Sequence, residues 1–196
     1  MKHLFLPVVF ALTLATAAPA AAVDTYVFDP AHSSVAFSIR HFLAQVPGQF
    51  AKVTGQIEVD PTDFTRNTVS ATVEVASVAT LNEKRDEHLR TADFFNAAAH
   101  PTATFTSTRW SRTGPDTYAV TGDFTLHGVT KELTLQVKYL GQADGNRGAR
   151  LSGWQATVTL KRADFGIGKP ERSIGENAAI TINVEARLQK PEAKSP

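Results

Sequence analysis

The side chains best suited to chemistry in this 196-residue chain are five histidines beyond its first 22 residues: His32, His41, His88, His100 and His127. None stands in a His-x-x-x-His or His-Glu-x-x-His arrangement, the spacings that put two imidazoles on one metal. Cysteine is absent, which removes thiolate zinc sites, thiol catalysis, disulfides and thioether-linked haem together. His127-Gly128 reads as a turn and His100-Pro101 as a loop. No Gly-x-Ser-x-Gly elbow offers a serine nucleophile. Gly166-Ile167-Gly168-Lys169 copies part of a phosphate loop, but lacks the upstream glycine and the hydroxyl residue after the lysine. Asp164-Phe165-Gly166 copies a kinase tripeptide without any other kinase element. Asp86 and Asp93 are paired carboxylates on a helical stretch and read as solvent-facing. The expectation is a protein that is not an enzyme, with no metal and no required cofactor.

Two polar residues stand apart. Thr80 to Pro101 lacks strand alternation and reads as helical, with Thr80 and Glu83 spaced as a capping box. At 100° per residue Leu81, Arg85, His88 and Ala92 share one stripe, with Leu89 at its edge. Packing Leu81 inward would turn Arg85 and His88 toward whatever the helix covers. On one reading Arg85 pairs with Asp93 or Glu87 and His88 caps backbone groups. On the other, both donate hydrogen bonds to the polar head of a ligand, with Phe42 and Phe94 flanking its way in and His41 on the same rim.

The elements that would position them are strands. Apolar residues alternate with polar ones in Val35–Arg40, Val53–Val59, Ala71–Val75, Ala103–Ser107, Tyr118–Leu126, Leu133–Tyr139, Trp154–Leu160 and Ile180–Leu188. Turn formers at Asp60-Pro61, Gly114-Pro115, His127-Gly128 and Gly141–Gly148 separate several of them. Half-buried strands in sequence suggest an all-β barrel or sandwich. The helical stretch falls between the third and fourth and is placed to close one barrel end. Parity turns Phe37, Ile39, Val73, Val75, Phe105, Phe124, Leu133, Leu135, Trp154, Val158 and Ile182 inward. Gly55, Ala71, Ser77, Ala103, Ser107, Gly122 and Ala156 share that parity. Such small residues either leave room for a ligand or make space for large rings and tight coiling.

Hydrophobic residues make up 42% and charged residues 20%, enough for a packed core and against disorder. Thr occurs 23 times and Val 17, favouring strands over a bundle. Residues 1–22 show a basic start, an apolar run over Leu4–Leu14 and then small residues, the pattern of a cleaved secretory signal. Removing them leaves 19 basic and 19 acidic residues, with no surplus for nucleic acid or for an anionic surface. Residues 23–189 then form one domain and 190–196 a frayed tail.

Four blocks resemble the YceI family of secreted, lipocalin-like polyisoprenoid-binding proteins. They are Phe28–His41, Arg85–Phe95 with His100-Pro101, Gly122–Lys131, and Lys161–Ile167. They occur in family order across nearly the whole mature chain. In the last block Ala163 replaces the family's usual hydroxyl residue, so contacts made by that hydroxyl do not carry over. The resemblance implies an eight-stranded antiparallel barrel, an apolar tunnel for an isoprenoid chain or other amphiphile, and no established catalytic residues. Quinones, prenyl phosphates and fatty amides are the ligand types it implies. The expected function is therefore a non-catalytic periplasmic carrier with a bound isoprenoid lipid or quinone. Its expected site comprises Arg85, His88, Leu89, Phe94, His41 and Phe42 with the inward-facing residues named above. The alternatives are a quinone-presenting accessory to a membrane cytochrome, an enzyme acting on a prenyl chain, and an empty barrel serving in stress or adhesion. A homodimer is compatible with each.

Overall fold

A computed structural model describes residues 23–189. The signal segment and the tail expected at 1–22 and 190–196 lie outside the described residues. Eleven strands and one helix follow in order: β1 (Asp24–Phe28), β2 (Ser34–His41), β3 (Ala44–Phe50), β4 (Val53–Val59), β5 (Thr68–Glu74), β6 (Val78–Ala79), α1 (Glu83–Arg90), β7 (Thr102–Arg112), β8 (Thr117–Leu126), β9 (Val129–Asp144), β10 (Arg150–Lys161) and β11 (Ile174–Leu188).

These strands occupy eight positions around a closed antiparallel barrel. The first position is β1 continued by β2, since both run along β11: Phe28 opposes Ala186, and Ser34 opposes Asn183. The second is β3 continued by β4, broken at Ala51-Lys52. The third is β5 continued by β6 through a single 3₁₀ turn at Val75–Ser77. β1 and β11 pair and close the ring, so the cylinder has no open seam at that end.

Three of these segments carry no alternation legible in the sequence. β1 and β6 are too short, and β3 contains Pro47 and Gly48. Pro47 is tolerated because β3 pairs with β2 on one side and with β6 only at Gln49 and Phe50 on the other. Gly48 is required by packing: a Cβ there would collide with the Phe37 ring.

Register defines the two ends. At one lie the β2–β3 hairpin tip, α1, the β8–β9 turn and the 162–173 segment. At the other, Phe64 stands in a 3₁₀ turn and packs against Tyr118, Tyr139 and Trp154 with ring centroids 5.7, 5.7 and 6.4 Å away. This aromatic plug, with Tyr26 and Trp110, closes that end. Burial pushes the Tyr26 and Tyr139 phenols above their ordinary pKa. A second core of Val75, Ala103, Leu126, Phe165 and Ile167 sits beneath the α1 end.

The helix begins later than the capping box implies. Asn82 is the N-cap, its side chain accepting from the Arg85 N–H at 3.0 Å. Thr80 instead turns inward, where its N–H donates to Asp86 Oδ1 at 2.8 Å and its hydroxyl donates to the same oxygen. Asp86 is thereby buried rather than solvent-facing. Between them Leu81 takes a left-handed backbone (φ 61°) and is 100% exposed, so it does not pack inward as the stripe predicts. Such a backbone costs a bulky L-residue about 1–2 kcal/mol. The local hydrogen bonds of Thr80 and Asn82 outweigh one apolar contact.

The small inward residues divide into two kinds. A Cβ at Gly55 would meet the Phe28 ring and the backbone of Ser70 and Ala71. One at Gly122 would meet the Phe105 ring and the backbone of Thr106 and Ser107. Both glycines permit close strand approach. Ser107 takes a backbone bond, its Oγ accepting from Val69 N–H at 2.9 Å beside a bulge in β7. Ser77 Oγ donates to Glu74 O at 2.6 Å in the turn between β5 and β6. Ala71, Ala103 and Ala156, by contrast, face open space.

Candidate ligand-binding site

That space is a cavity of 520 Å³ inside the barrel, within the range of about 300–1,000 Å³ typical of small-molecule sites. Its wall is built by strand parity. Val35, Phe37 and Ile39 of β2, Val69, Ala71 and Val73 of β5, and Leu133, Leu135 and Val137 of β9 alternate inward, while their Ser, Thr, Glu and Gln neighbours point out. The polar side chains on the lining gather toward the α1 end: Arg40, His41, Arg85, His88, Arg162 and Glu171, with Thr80, Thr104 and Ser173. At the plugged end Trp110 stands on the lining, and its buried Nε1 has no hydrogen-bond partner among the described residues.

Most of the residues expected from the sequence come together here. Phe37, Ile39, His41, Val73, Arg85, His88, Leu89, Phe94, Phe105, Phe124, Leu133, Leu135, Trp154, Val158 and Ile182 all line the cavity. Two do not. Val75 is buried at 1% exposure, but β5 ends at Glu74; the 3₁₀ turn breaks the period of two and directs Val75 into the second core. Phe42 has φ 48° and is 60% exposed on the hairpin tip, outside the cavity.

Arg85 makes neither of the carboxylate pairs considered for it. Its Nε donates to Thr80 Oγ1 and its Nη2 to Thr80 O, each at 2.7 Å, and the residue lines the cavity end. His88 rather than Arg85 takes Asp93, with Nε2 donating to Oδ2 at 3.1 Å, and its ring stands edge-on to Phe94 at 5.0 Å. Ala92 is exposed. Arg162 spans the opposite lip, Nε donating to Gly175 O at 2.9 Å and Nη1 to Ile167 O at 2.7 Å. Arg40 Nη1 donates to Phe42 O at 2.7 Å.

Sequence reasoning missed Arg40, Arg162, Glu171 and Ser173. Arg40 occupies the outward parity of β2 and reaches the lining only because the strand ends there. Glu171 and Ser173 lie in an irregular stretch with no period to read.

Outside the barrel Asp29, His32 and Glu185 place one potential ligand atom each within 4.8 Å of one another. Arg187 Nη2 already donates to Asp29 Oδ2 at 3.3 Å and supplies the positive charge a cation would bring. The Ala31 N–H, the largest of several causes, holds the Asp29 carboxyl below the usual carboxylate range. On the α1 side His127 Nδ1 donates to Phe165 O at 3.0 Å, and its ring lies 4.6 Å from that of His100. The first contact staples the β8–β9 turn to the 162–165 segment, and the second joins it to the His100-Pro101 loop.

The sequence profile of the YceI-like domain matches residues 26–186. The chain belongs to the YceI family. A relative, Protein YceI of Escherichia coli, is 37% identical over 193 residues, covering 97% of this chain and all of the relative. Among solved structures, the barrel is similar to Burkholderia cenocepacia BcnA, with TM-score 0.75 and 23% identity over 81% of this chain and 99% of that one. It is also similar to a polyisoprenoid binding domain from Saccharophagus degradans, with TM-score 0.65 and 15% identity over 86% and 100%. At these identities the two structures speak for the fold. Of the blocks shared with the family, Phe28–His41 brings Arg40 and His41 to the polar cavity end and Arg85–Phe95 brings Arg85 and His88.

Proposed function

We propose that this protein holds one long-chain amphiphile in its barrel and carries it in the periplasm without catalysing a reaction on it. The ligand class is an isoprenoid such as a quinone or prenyl phosphate, or a fatty amide. The observation that carries this reading is the apolar cavity of 520 Å³ with its polar side chains gathered at one end. Such a site takes a chain into the wall and a head group at the lip. An apolar wall gains about 0.8 kcal/mol per buried methylene, so ten of them contribute about 8 kcal/mol before costs, near micromolar affinity. Area does not discriminate between chains of equal length, so identity is read by Arg85, His88, Arg40 and Arg162.

The Saccharophagus degradans domain, described as polyisoprenoid binding, supports the ligand class. The basic start, apolar run and small residues of 1–22 support export. The absence of a catalytic constellation in the sequence supports a carrier over an enzyme. The lipid is cargo, and no resident cofactor is needed.

The test is lipid extraction and mass spectrometry on protein purified from its native host. A single dominant isoprenoid-chain or fatty-chain species is expected. Protein that arrives free of any long-chain molecule overturns the reading.

A further inference from the structure

Among the described residues, the most exposed large apolar side chains surround the polar end of the cavity. Leu43 is 101% exposed, Leu81 100% and Phe42 60%. Phe42 and Leu43 form the β2–β3 hairpin tip, directly after the lining residues Arg40 and His41. Leu81 directly follows the lining residue Thr80. β6 pairs antiparallel with β3, so the chain leaving Ala79 runs along β3 toward that same tip. Among the described residues, the other exposed large hydrophobics are Val23, Val27 and Leu140, at 40–56%, on the plugged half of the barrel.

The fold holds these side chains outward. Phe42 and Leu81 have φ of 48° and 61°, a backbone region that turns ordinarily give to Gly or Asn. Phe42 N–H donates to Ser173 O at 2.7 Å, its carbonyl accepts from Arg40 Nη1 at 2.7 Å, and its ring meets His41 edge-on at 4.9 Å. Leu81 is flanked by the inward anchor Thr80 and the N-cap Asn82. A bulky apolar residue that stays mostly exposed in left-handed backbone gains the fold little. Two of them on one rim point to a surface outside the fold.

We propose that this rim docks on a phospholipid bilayer, Phe42, Leu43 and Leu81 entering the headgroup layer so that the cavity opens against the membrane. The inference rests on the lipid-carrier reading for its purpose, because a chain leaving a bilayer directly into an apolar wall never crosses water. Charge on the rim is mixed: Arg40, Lys84, Arg85 and Arg162 stand with Glu83, Glu87 and Glu171. Docking is therefore driven by apolar insertion and not by anionic lipid.

The experiment is flotation of the mature protein with vesicles of phosphatidylcholine and phosphatidylethanolamine, alone and with phosphatidylglycerol, at low and high salt. The variants are Phe42→Ser/Leu43→Ser/Leu81→Ser, and Leu140→Ser as a control at the other end. Dansyl-undecanoic acid in vesicle-free buffer reports cavity binding separately. Wild type and Leu140→Ser should float alike, with little salt dependence. The triple variant should lose at least about tenfold in partition while still binding the dansyl probe. The docking proposal is overturned if wild type stays off every vesicle, if binding requires phosphatidylglycerol, or if the two variants lose partition equally. It is also overturned if sedimentation shows a vesicle-free dimer that the triple variant abolishes, since the rim is then a contact between copies. Should wild type float yet refuse the probe, the docking surface stands and the carrier reading fails.

Discussion

Arg85 and Thr80 clasp each other at the start of the only helix among the described residues. The guanidinium gives Nε to the hydroxyl and Nη2 to the carbonyl of the same threonine, both at 2.7 Å. Thr80 in turn donates to the buried Asp86. The head of Arg85 is thus oriented directly by neutral oxygens, with the Asp86 carboxylate one hydrogen bond further away behind the Thr80 hydroxyl.

This arrangement separates binding from stability. Arg85→Gln should weaken binding of a prenyl phosphate by tenfold or more, the worth of a charge-assisted bond at about 1.5–3 kcal/mol. Its melting temperature should fall only slightly, since Asp86 still anchors Thr80. Thr80→Val should do the reverse, lowering melting more than affinity by leaving the buried Asp86 only the backbone N–H of its two bonds from residue 80. Parallel calorimetric titration and thermal melting check both. Equal loss of binding in the two variants would show that the clasp matters only as structure.

Parity within β5 makes a second test. Val73→Arg places an unpaired charge in the cavity wall and should cost several kcal/mol or expel the lipid. Thr72→Arg, on the outer face, should melt like wild type. Val75→Arg should destabilise as strongly as Val73→Arg through the second core. Thermal melts with lipid extraction distinguish the three.

Gly122→Ala should cost about 1–3 kcal/mol, because its Cβ meets the backbone of Thr106 and Ser107 and cannot be relieved by a rotamer change. Ala71→Leu should fold and instead reduce the chain length the cavity accepts, since residue 71 faces open space. Chemical denaturation measures the first and competition between fatty acids of graded length the second.

Acid should destabilise the plugged end. The Thr62 hydroxyl, at 2.6 Å, and then its N–H, at 2.9 Å, hold the Asp60 carboxyl below its ordinary pKa, as Thr65 does for Asp63. In the window below about pH 4 the unfolded chain binds more protons than the native one. The stability these groups contribute is present above that window and lost as pH falls through the folded values. Asp60→Asn should therefore melt below wild type at neutral pH, and the gap should narrow toward pH 3. A gap that widens in acid would reverse the sign of the argument.

The alternation of side chains along each strand is a property of the chain alone. It was enough to place Phe37, Phe105, Phe124, Leu135 and Trp154 on one wall, because a strand with one buried face must send every second residue the same way. It failed where the backbone leaves the strand. Val75 loses its parity in a 3₁₀ turn, and Leu81 loses its helical stripe to a left-handed residue before the N-cap. β3 showed no period because Pro47 and Gly48 are allowed only by a missing neighbour and by the Phe37 ring, both facts of tertiary packing. Whether small residues such as Gly122 and Ala71 make room or merely fit was equally undecidable locally. Residue size is written in the sequence, but the atom that faces it comes from a strand many residues away. The polar cavity end is the extreme case. Arg40, Arg85 and Arg162 are brought to one opening by ring closure, and each is aimed by a backbone carbonyl that no spacing rule could have named.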